Sequence, residues 1–561
     1  MNFDEKMTKN EHIKRAKDGL DVWDDIHRYA QTGFASIQED DFPRMRWFGI
    51  YQQKPNDGHF MWRIRISGGR LKPSQLREIA QVSKDHGRGF GDVTTRQCIQ
   101  LHWMTIESFP DALERVGNKA GLYTQFACGD TPRNVCSCPL AGLLKNEIVE
   151  IGDLPKQMSD MFKAAGHEFS NLPRKFKTTI SGCPLHCNQP QINDIGAFGV
   201  RRVRNGVEQR GLGILVGGGL SSTPHFGQGL RVFVPQEKIA EQIPLIWRGV
   251  CAIFRDSDEL RFKRIRARLK FLVADHGWRW IRDELEKRIG FELEHDEEIV
   301  APRGALHTDH MGIGEQKNGN FYVGIPIERG RWTADQMLAV ADLTERYAAH
   351  GVGEIRLSQK QNVIITDVPQ ANIEPLVKEL QQVGLDPQAP LWRHNLISCT
   401  GIQFCNLAVV ETKQRALEIL QHLESQVEID SPIMLSISGC PNSCAQYQVA
   451  DIGLTGTKAL WHGEKSDAYD LCIGGRFGES PEFVRPLFEK VPTQIIHKQI
   501  EKVVRVYQEN RVDPEGDDDP ETFRDFVDRV ELEQIRAWSA IPEWTPPPPK
   551  KKREPVPAKI A

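Results

Sequence analysis

LPRKFKTTISGCPLHCNQPQINDIGAFG (residues 172–199) and DSPIMLSISGCPNSCAQYQVADIGLTG (residues 430–456) are two copies of one segment. Each carries an S-G-C-P turn, a second cysteine four residues after the first, and a closing D-I-G. A further match follows each copy, LGILVGGGLSS at 212–222 and YDLCIGGRFGE at 469–479. Another precedes each. Residues 48–102 begin FGIYQQKPNDGHFMWRIRISGGRLKPSQLREIA and end FGDVTTRQCIQLH, while 311–366 begin MGIGEQKNGNFYVGIPIERGRWTADQMLAVA and end VGEIRLSQKQNVIIT. Matched blocks in matched order mark an internal duplication. The chain is therefore expected to be a fused pseudo-dimer of an α/β unit, able to bind one large ligand across its internal two-fold. In the first copy Phe60, Trp62, Ile64 and Ile66 alternate with Met61, Arg63 and Arg65, the pattern of a half-buried strand. From Ser74 to Ala80 the spacing turns helical, with Leu76, Ile79 and Val82 on one face and Pro73 near the start.

Four cysteines of the C-terminal half, Cys399, Cys405, Cys440 and Cys444, stand in ISCTGIQFCNLA and SISGCPNSCAQ. Four thiolates complete a [4Fe–4S] cube. Their spacing is neither that of a bacterial ferredoxin run nor that of a zinc finger. A redox cluster is the leading reading, against a structural zinc site or plain buried thiols. The first half repeats part of the pattern with Cys183 and Cys187, preceded by Cys136 and Cys138. These thiols could hold a second cluster, but Cys136-x-Cys138 does not reproduce the spacing of Cys399 and Cys405. One cluster is expected, with the first-half thiols a relic of the duplication. Cys98, Cys251 and Cys472 read as packing residues.

At 561 residues the chain is too long for one core. Its 39% hydrophobic and 26% charged residues are those of an ordinary globular protein. No apolar run reaches the length of a membrane helix, and the charged start MNFDEKMTKNEHIKRAKDGLDVWDD lacks the apolar core of a signal peptide. A cytoplasmic location is expected, where the 12 cysteines stay reduced and serve as ligands or catalysts. The net charge of −4 favours neither a nucleic-acid nor a membrane partner. PPPPKKKREPVPAKIA reads as a solvated tail, whose KKKR could also recruit an acidic partner. No G-x-G-x-x-G follows a strand, so no flavin or nicotinamide domain is expected. Residues 230–295 read as a charged, mostly helical connection and 484–540 as a helical C-terminal region.

With these motifs the chain resembles the siroheme/[4Fe–4S] sulfite and nitrite reductase family from about residue 12 to residue 540. The carriers are Cys399-x5-Cys405, Cys440-x3-Cys444 within SGCPNSC, LPRKFK at 172–177 and GGGLS at 217–221. The resemblance implies an α/β (α+β) fold of ferredoxin-like half-domains and two siroheme-binding α/β domains. The expected order is a helical arm (1–46), a first half-domain (47–110), a siroheme and substrate domain (111–300), a second half-domain (301–375), a cluster domain with C-terminal helices (376–545) and a tail (546–561). It further implies that Cys444 is both a cluster ligand and the axial ligand of siroheme. By motif position it implies an anion-binding quartet of Arg63, Arg133, Lys175 and Lys177. Arg96, Gln100 and Lys270 match positions that hold siroheme carboxylates, and Asn442 would touch the macrocycle. Tyr51 and Cys128 match a pair that becomes covalently linked in some bacterial sulfite reductases. The implied activity is six-electron reduction of a small oxyanion, with ferredoxin as donor to a monomeric enzyme. Lys177 stands where the family's nitrite reductases typically carry Asn, which favours sulfite. The N-terminal GLDVWDDIHRYAQTGFASIQEDDFPRMRWFG instead resembles ferredoxin-dependent nitrite reductases, so nitrite or dual activity is the alternative. A non-catalytic siroheme electron-transfer protein is the distant one.

Overall fold

The computed structural model describes residues 6–185, 187–302, 310–512 and 520–546. Its strands form four sheets of two kinds, each kind occurring once per half. The first kind is antiparallel. In the first half Ile50–Gln52, His59–Ile64, Ile99–Thr105 and Phe90–Val93 lie side by side, and in the second Gly312–Glu315, Phe321–Ile325, Val363–Val368 and Ile355–Leu357 repeat that order. Each sheet is completed by a strand from the other half: Arg331–Thr333 adds to Phe90–Val93, and Arg70–Leu71 adds to Ile355–Leu357. The second kind is mixed. Pro132–Ser137, Phe176–Ile180 and Ile195–Arg204 run parallel, as do Leu396–Ser398, Leu435–Ser438 and Ile452–Trp461, and antiparallel hairpins extend both.

Helix Pro73–His86 buries Leu76, Ile79, Ala80 and Val82 and packs on its counterpart Ala334–Tyr347. Arg77 joins the two by hydrogen bonds to Asp342 and Glu345, each at 2.7 Å. The pseudo-two-fold axis passes between Gln189 and Gln446, each two residues beyond the second cysteine of its S-G-C-P segment. Both are left-handed, at φ 54° and 62°. Each side-chain amide donates to the other's carbonyl oxygen at 2.6 Å. Phe226 and Phe483 stack close by with centroids 3.9 Å apart. Gln191 bonds the backbone of Gly478, and Gln448 that of Ser221, in the same reciprocal way.

Two stretches expected to be helical begin as strands. Gln228–Pro235 is a strand of the first mixed sheet, and Arg485–Pro492 is the edge of the second. The first buries Leu230, Val232, Phe233 and Val234 and the second Leu487, Phe488, Val491 and Pro492, and register shifts in both pairings break the period of two that would have marked them as strands. The helix Ile239–Arg255 is no charged connector, because Ile243, Ile246, Trp247, Val250 and Phe254 are buried. Leu269–Ile289 breaks at Gly277, where φ is 83°. The tail expected at 546–561 lies, apart from Pro546, outside the described residues.

Candidate functional site

Strand register lets one half be read onto the other. Ser137 lies opposite Ile180, and Ser398 opposite Ile437. Cys138, Cys183 and Cys187 are thus the counterparts of Cys399, Cys440 and Cys444. Cys136 sits one place inside the strand and is buried elsewhere. In the antiparallel sheets Arg63 lies opposite Gln100, and Gly324 opposite Ile364. The amide of Lys177 donates to Asp194 at 2.7 Å as that of Met434 does to Asp451. The cations at Arg63, Lys175 and Lys177 therefore have Gly324, Pro432 and Met434 as counterparts. One half keeps the cations, and the other keeps the complete cysteine set.

The cysteine side is built on two loops. Cys399 ends the strand Leu396–Ser398, and Cys440 and Cys444 lie in the turn after Leu435–Ser438. The Gly439 amide donates to Cys399 Sγ at 3.2 Å and the Leu407 amide to Cys405 Sγ at 3.4 Å. N–H···S bonds of this kind tune iron–sulfur clusters. Burial pushes the Cys399 thiol up to about 12, and the neighbouring Cys444 adds to the push. A metal cluster supplies the positive charge these sulfurs lack, so the donor set fits one. Cys444 itself is exposed.

Facing it are the cations of the first half. Arg63, Lys175 and Lys177 all lie within electrostatic reach of the Cys444 sulfur. Burial, with Arg96 and Arg268, drags Lys177 down to about 7. Burial, Lys177 and Arg268 hold Lys175 well below the ordinary lysine range. Among the described residues neither ammonium has a carboxylate partner within 4.0 Å. Half-buried cations without carboxylate partners favour an anion beside them. Arg63 Nε donates to Gln100 Oε1 at 3.2 Å, and Gln100 reaches Thr400 Oγ1, beside Cys399, at 3.5 Å. Arg133 is held by the carbonyls of Gly129 (2.6 Å) and Ala127 (3.3 Å). Tyr51 lies beside Cys128, Arg133 and Arg63: burial raises its phenol, Cys128 adds to the rise and the arginines oppose it. Cys128 is a free thiol.

The remaining expected residues sit further back. Arg96 donates to Asn193 Oδ1 at 2.7 Å and to the carbonyls of Asn134 and Thr178, so it braces the floor of the pocket. Lys270 Nζ is tied to the carbonyls of Gly219, Leu220 and Thr223 and fixes the GGGLSS loop. Asn442 meets that loop through the Ser221 hydroxyl at 3.3 Å. Sequence reasoning missed Arg268 and Asp194, a buried pair at 2.7 Å that also anchors the Lys177 amide. It also missed Thr95, whose hydroxyl donates to the Cys444 carbonyl at 3.1 Å. Arg268 lies in RIRARLK, a run of cations, and only the D-I-G of the repeat, which begins with Asp194, hinted at its partner.

Four thiols on two loops, two of them accepting N–H bonds, thus face half-buried cations that have no carboxylate partners among the described residues. The chain belongs to the nitrite and sulphite reductase family. The model of the family's 4Fe-4S domain matches residues 128–293 and 393–545, and that of its ferredoxin-like half domain matches 51–119 and 314–383. It is 35% identical to an assimilatory ferredoxin-dependent nitrite reductase of Haloferax mediterranei, over 93% of this chain and 91% of that one. It is also 35% identical to a sulfite reductase [ferredoxin] of Mycobacterium tuberculosis, over 95% of this chain and 96% of that one. The solved structure of the Mycobacterium tuberculosis NirA protein superposes with a TM-score of 0.86 at 34% identity, covering 94% of this chain and 97% of that one. No helix among the described residues is long and apolar enough to cross a membrane.

Proposed function

We propose that the chain is a ferredoxin-dependent reductase that takes sulfite to sulfide, holding one [4Fe–4S] cluster and one siroheme. The observation that carries the reading is the pair of lysines, Lys175 and Lys177, half-buried without carboxylate partners beside Cys444. Cys399, Cys405, Cys440 and Cys444 would hold the cluster, and Cys444 would also hold the siroheme. The cluster and siroheme held there would supply the electrons for reducing a bound anion.

The side chains supply the rest. Arg63, Arg133, Lys175 and Lys177 bind and orient the anion, and its charge repays part of the cost of burying theirs. Converting the sulfite dianion to hydrosulfide consumes six electrons and seven protons and releases three waters. Protons must therefore reach oxygens that leave. A lysine near neutral pKa is charged when the anion arrives and gives up its proton readily, the property of a general acid at Lys177 Nζ. Arg268 and Asp194 act as positioning residues: Asp194 holds the Lys177 amide, while Arg268 lowers the pKa of the ammonium and Asp194 opposes part of that fall. Gln100 aims Arg63, and Arg96 and Lys270 brace the surrounding loops toward the siroheme carboxylates. Ferredoxin is the donor that fits, since no dinucleotide fingerprint is present and the relatives are named for it.

Lys177 offers one more positive charge than an asparagine would, which suits a dianion. Nitrite reduction is the second reading, supported by equal identity to nitrite and sulfite reductases. Steady-state reduction of both anions by reduced ferredoxin distinguishes them. A higher kcat/KM for sulfite is expected, and a higher value for nitrite reverses the assignment.

A further inference from the structure

The pseudo-two-fold creates a second place equivalent to the cluster and pocket, and that place has been rebuilt. Its cysteines are Cys138, Cys183 and Cys187. The loop after Cys138 is as long as that after Cys399: the Ile148 amide bonds the Gly182 carbonyl and the Val409 amide the Gly439 carbonyl, both at 2.9 Å. Leu144 therefore stands where the other half has Cys405, so this half cannot offer the four thiolates of a cube. What it offers instead is tighter. Cys138, Cys187 and His310 are buried, and their ligand atoms all lie within 4.8 Å of one another. Among the described residues no other three His, Cys, Asp or Glu side chains meet that criterion, the four cluster cysteines included. Cys138 Sγ and His310 Nε2 are 3.9 Å apart.

We infer that Cys138, Cys187 and His310 bind a single zinc ion, a metal centre separate from the Cys399–Cys444 set. Zinc holds thiolates at about 2.3 Å and imidazole nitrogen at about 2.0–2.1 Å, which sets neighbouring tetrahedral ligands about 3.5–3.8 Å apart. The observed spacing is close to that. Thiolates on different irons of a cube stand further apart. Two thiolates and one Zn²⁺ carry no net charge, so the apolar surroundings of Leu140, Ile364 and Leu185 impose little desolvation penalty. Binding releases the two thiol protons to solvent and moves no electrons. Cys183 is the next thiol on the same loop and the natural source of a fourth ligand.

The backbone is shaped for this arrangement. Gly324, the counterpart of Arg63, has the His310 carbonyl oxygen 2.1 Å from where a β-carbon would sit. Any side chain there would displace the segment that delivers the imidazole. Cys138 and Cys187 come from the first mixed sheet and its loop, whereas His310 leads into the second antiparallel sheet. The ion thus ties the two halves together.

The test is metal analysis of the full chain, purified with its iron cofactors from zinc-containing medium. About one zinc per chain is expected, and Cys187→Ser and His310→Ala should each lower it at least tenfold with iron content and visible spectrum unchanged. Should either variant fail to fold, the wild-type chain loaded with cobalt decides: tetrahedral thiolate ligation gives intense visible bands and a thiolate-to-cobalt absorption. Less than about a tenth of a zinc per chain in the wild type overturns the assignment. So does zinc that persists in both variants, a Cys138–Cys187 disulfide found by peptide mass, or the additional iron of a second cluster.

Discussion

Replacing Lys177 by Asn removes one positive charge from the anion pocket and leaves a neutral donor. The fall of its pKa from 10.5 to about 7 corresponds to about 5 kcal/mol spent on holding the charge there unpaired. At pH 7 the lysine is thus about half protonated, and an arriving anion completes the protonation. A hydrogen bond to a charged group contributes about 1–2 kcal/mol more than a neutral one. That predicts about a tenfold loss of kcat/KM for the singly charged nitrite. Coulomb attraction scales with charge, so the loss for doubly charged sulfite should be about a hundredfold. Preference then moves toward nitrite by about tenfold. In the wild type kcat/KM should fall as pH rises above about 7, and the variant should lack that limb. Stability gives an independent reading. The folded pKa lies below the unfolded one, so the cost is complete below pH 7 and is relieved as pH climbs toward 10.5. The variant should therefore melt higher than wild type at pH 6, and the difference should vanish near pH 10. Equal loss for both anions, unchanged rates, or an alkaline limb that survives the substitution would refute the role given to Lys177.

Cys444→Ser should lose both the cluster and the tetrapyrrole absorption, measured as iron per chain and the visible spectrum. Asp92 accepts two hydrogen bonds from Arg331, at 2.7 and 2.9 Å, and lies 3.9 Å from Lys413, all in buried surroundings. Asp92→Asn should cost about 3–5 kcal/mol by leaving those cations unmatched, seen as a lowered Tm. Burial alone would raise the Asp92 pKa, but Lys413 and Arg331 hold it well below the usual range. The Asp92 contribution is thus present above about pH 4 and lost only as pH falls through the depressed value. Gln189→Ala and Gln446→Ala should each cost about 1–3 kcal/mol by orphaning the other amide, and the double variant should cost less than their sum in a thermal-unfolding cycle.

The duplication was legible because turns demand particular residues: S-G-C-P and D-I-G recur wherever the backbone repeats. Helix Pro73–His86 was legible from its apolar period. The strand exchange was not, since Arg70–Leu71 and Arg331–Thr333 are too short to carry a pattern and pair only through tertiary contact. Nor could spacing tell which of Cys136 and Cys138 matches Cys399. Opposing strands decide that, and the answer lies in Ser137 facing Ile180. Arg268 was hidden for another reason. A cation run reads as solvated surface until a buried carboxylate, here Asp194, is brought to it from far along the chain.

A two-fold pseudo-dimer offers two equivalent sites, yet only one can be completed from the residues present. The proposed site takes Arg63, Lys175 and Lys177 from the first half and four cysteines from the second. Its mirror would need cations at Gly324, Pro432 and Met434 and a thiol at Leu144, and has none of them. Ile364 packs against Cys138 and Cys187 there, where Gln100 in the proposed site aims Arg63. Leu140, Leu185 and Ile364 line the mirror site, and an apolar lining cannot leave polar thiols unsatisfied without cost. Its cysteines must then pack as hydrophobes, oxidise, or take a cation small enough to be enclosed. His310, brought within reach of both sulfurs by a glycine where the other half has arginine, favours the last of these.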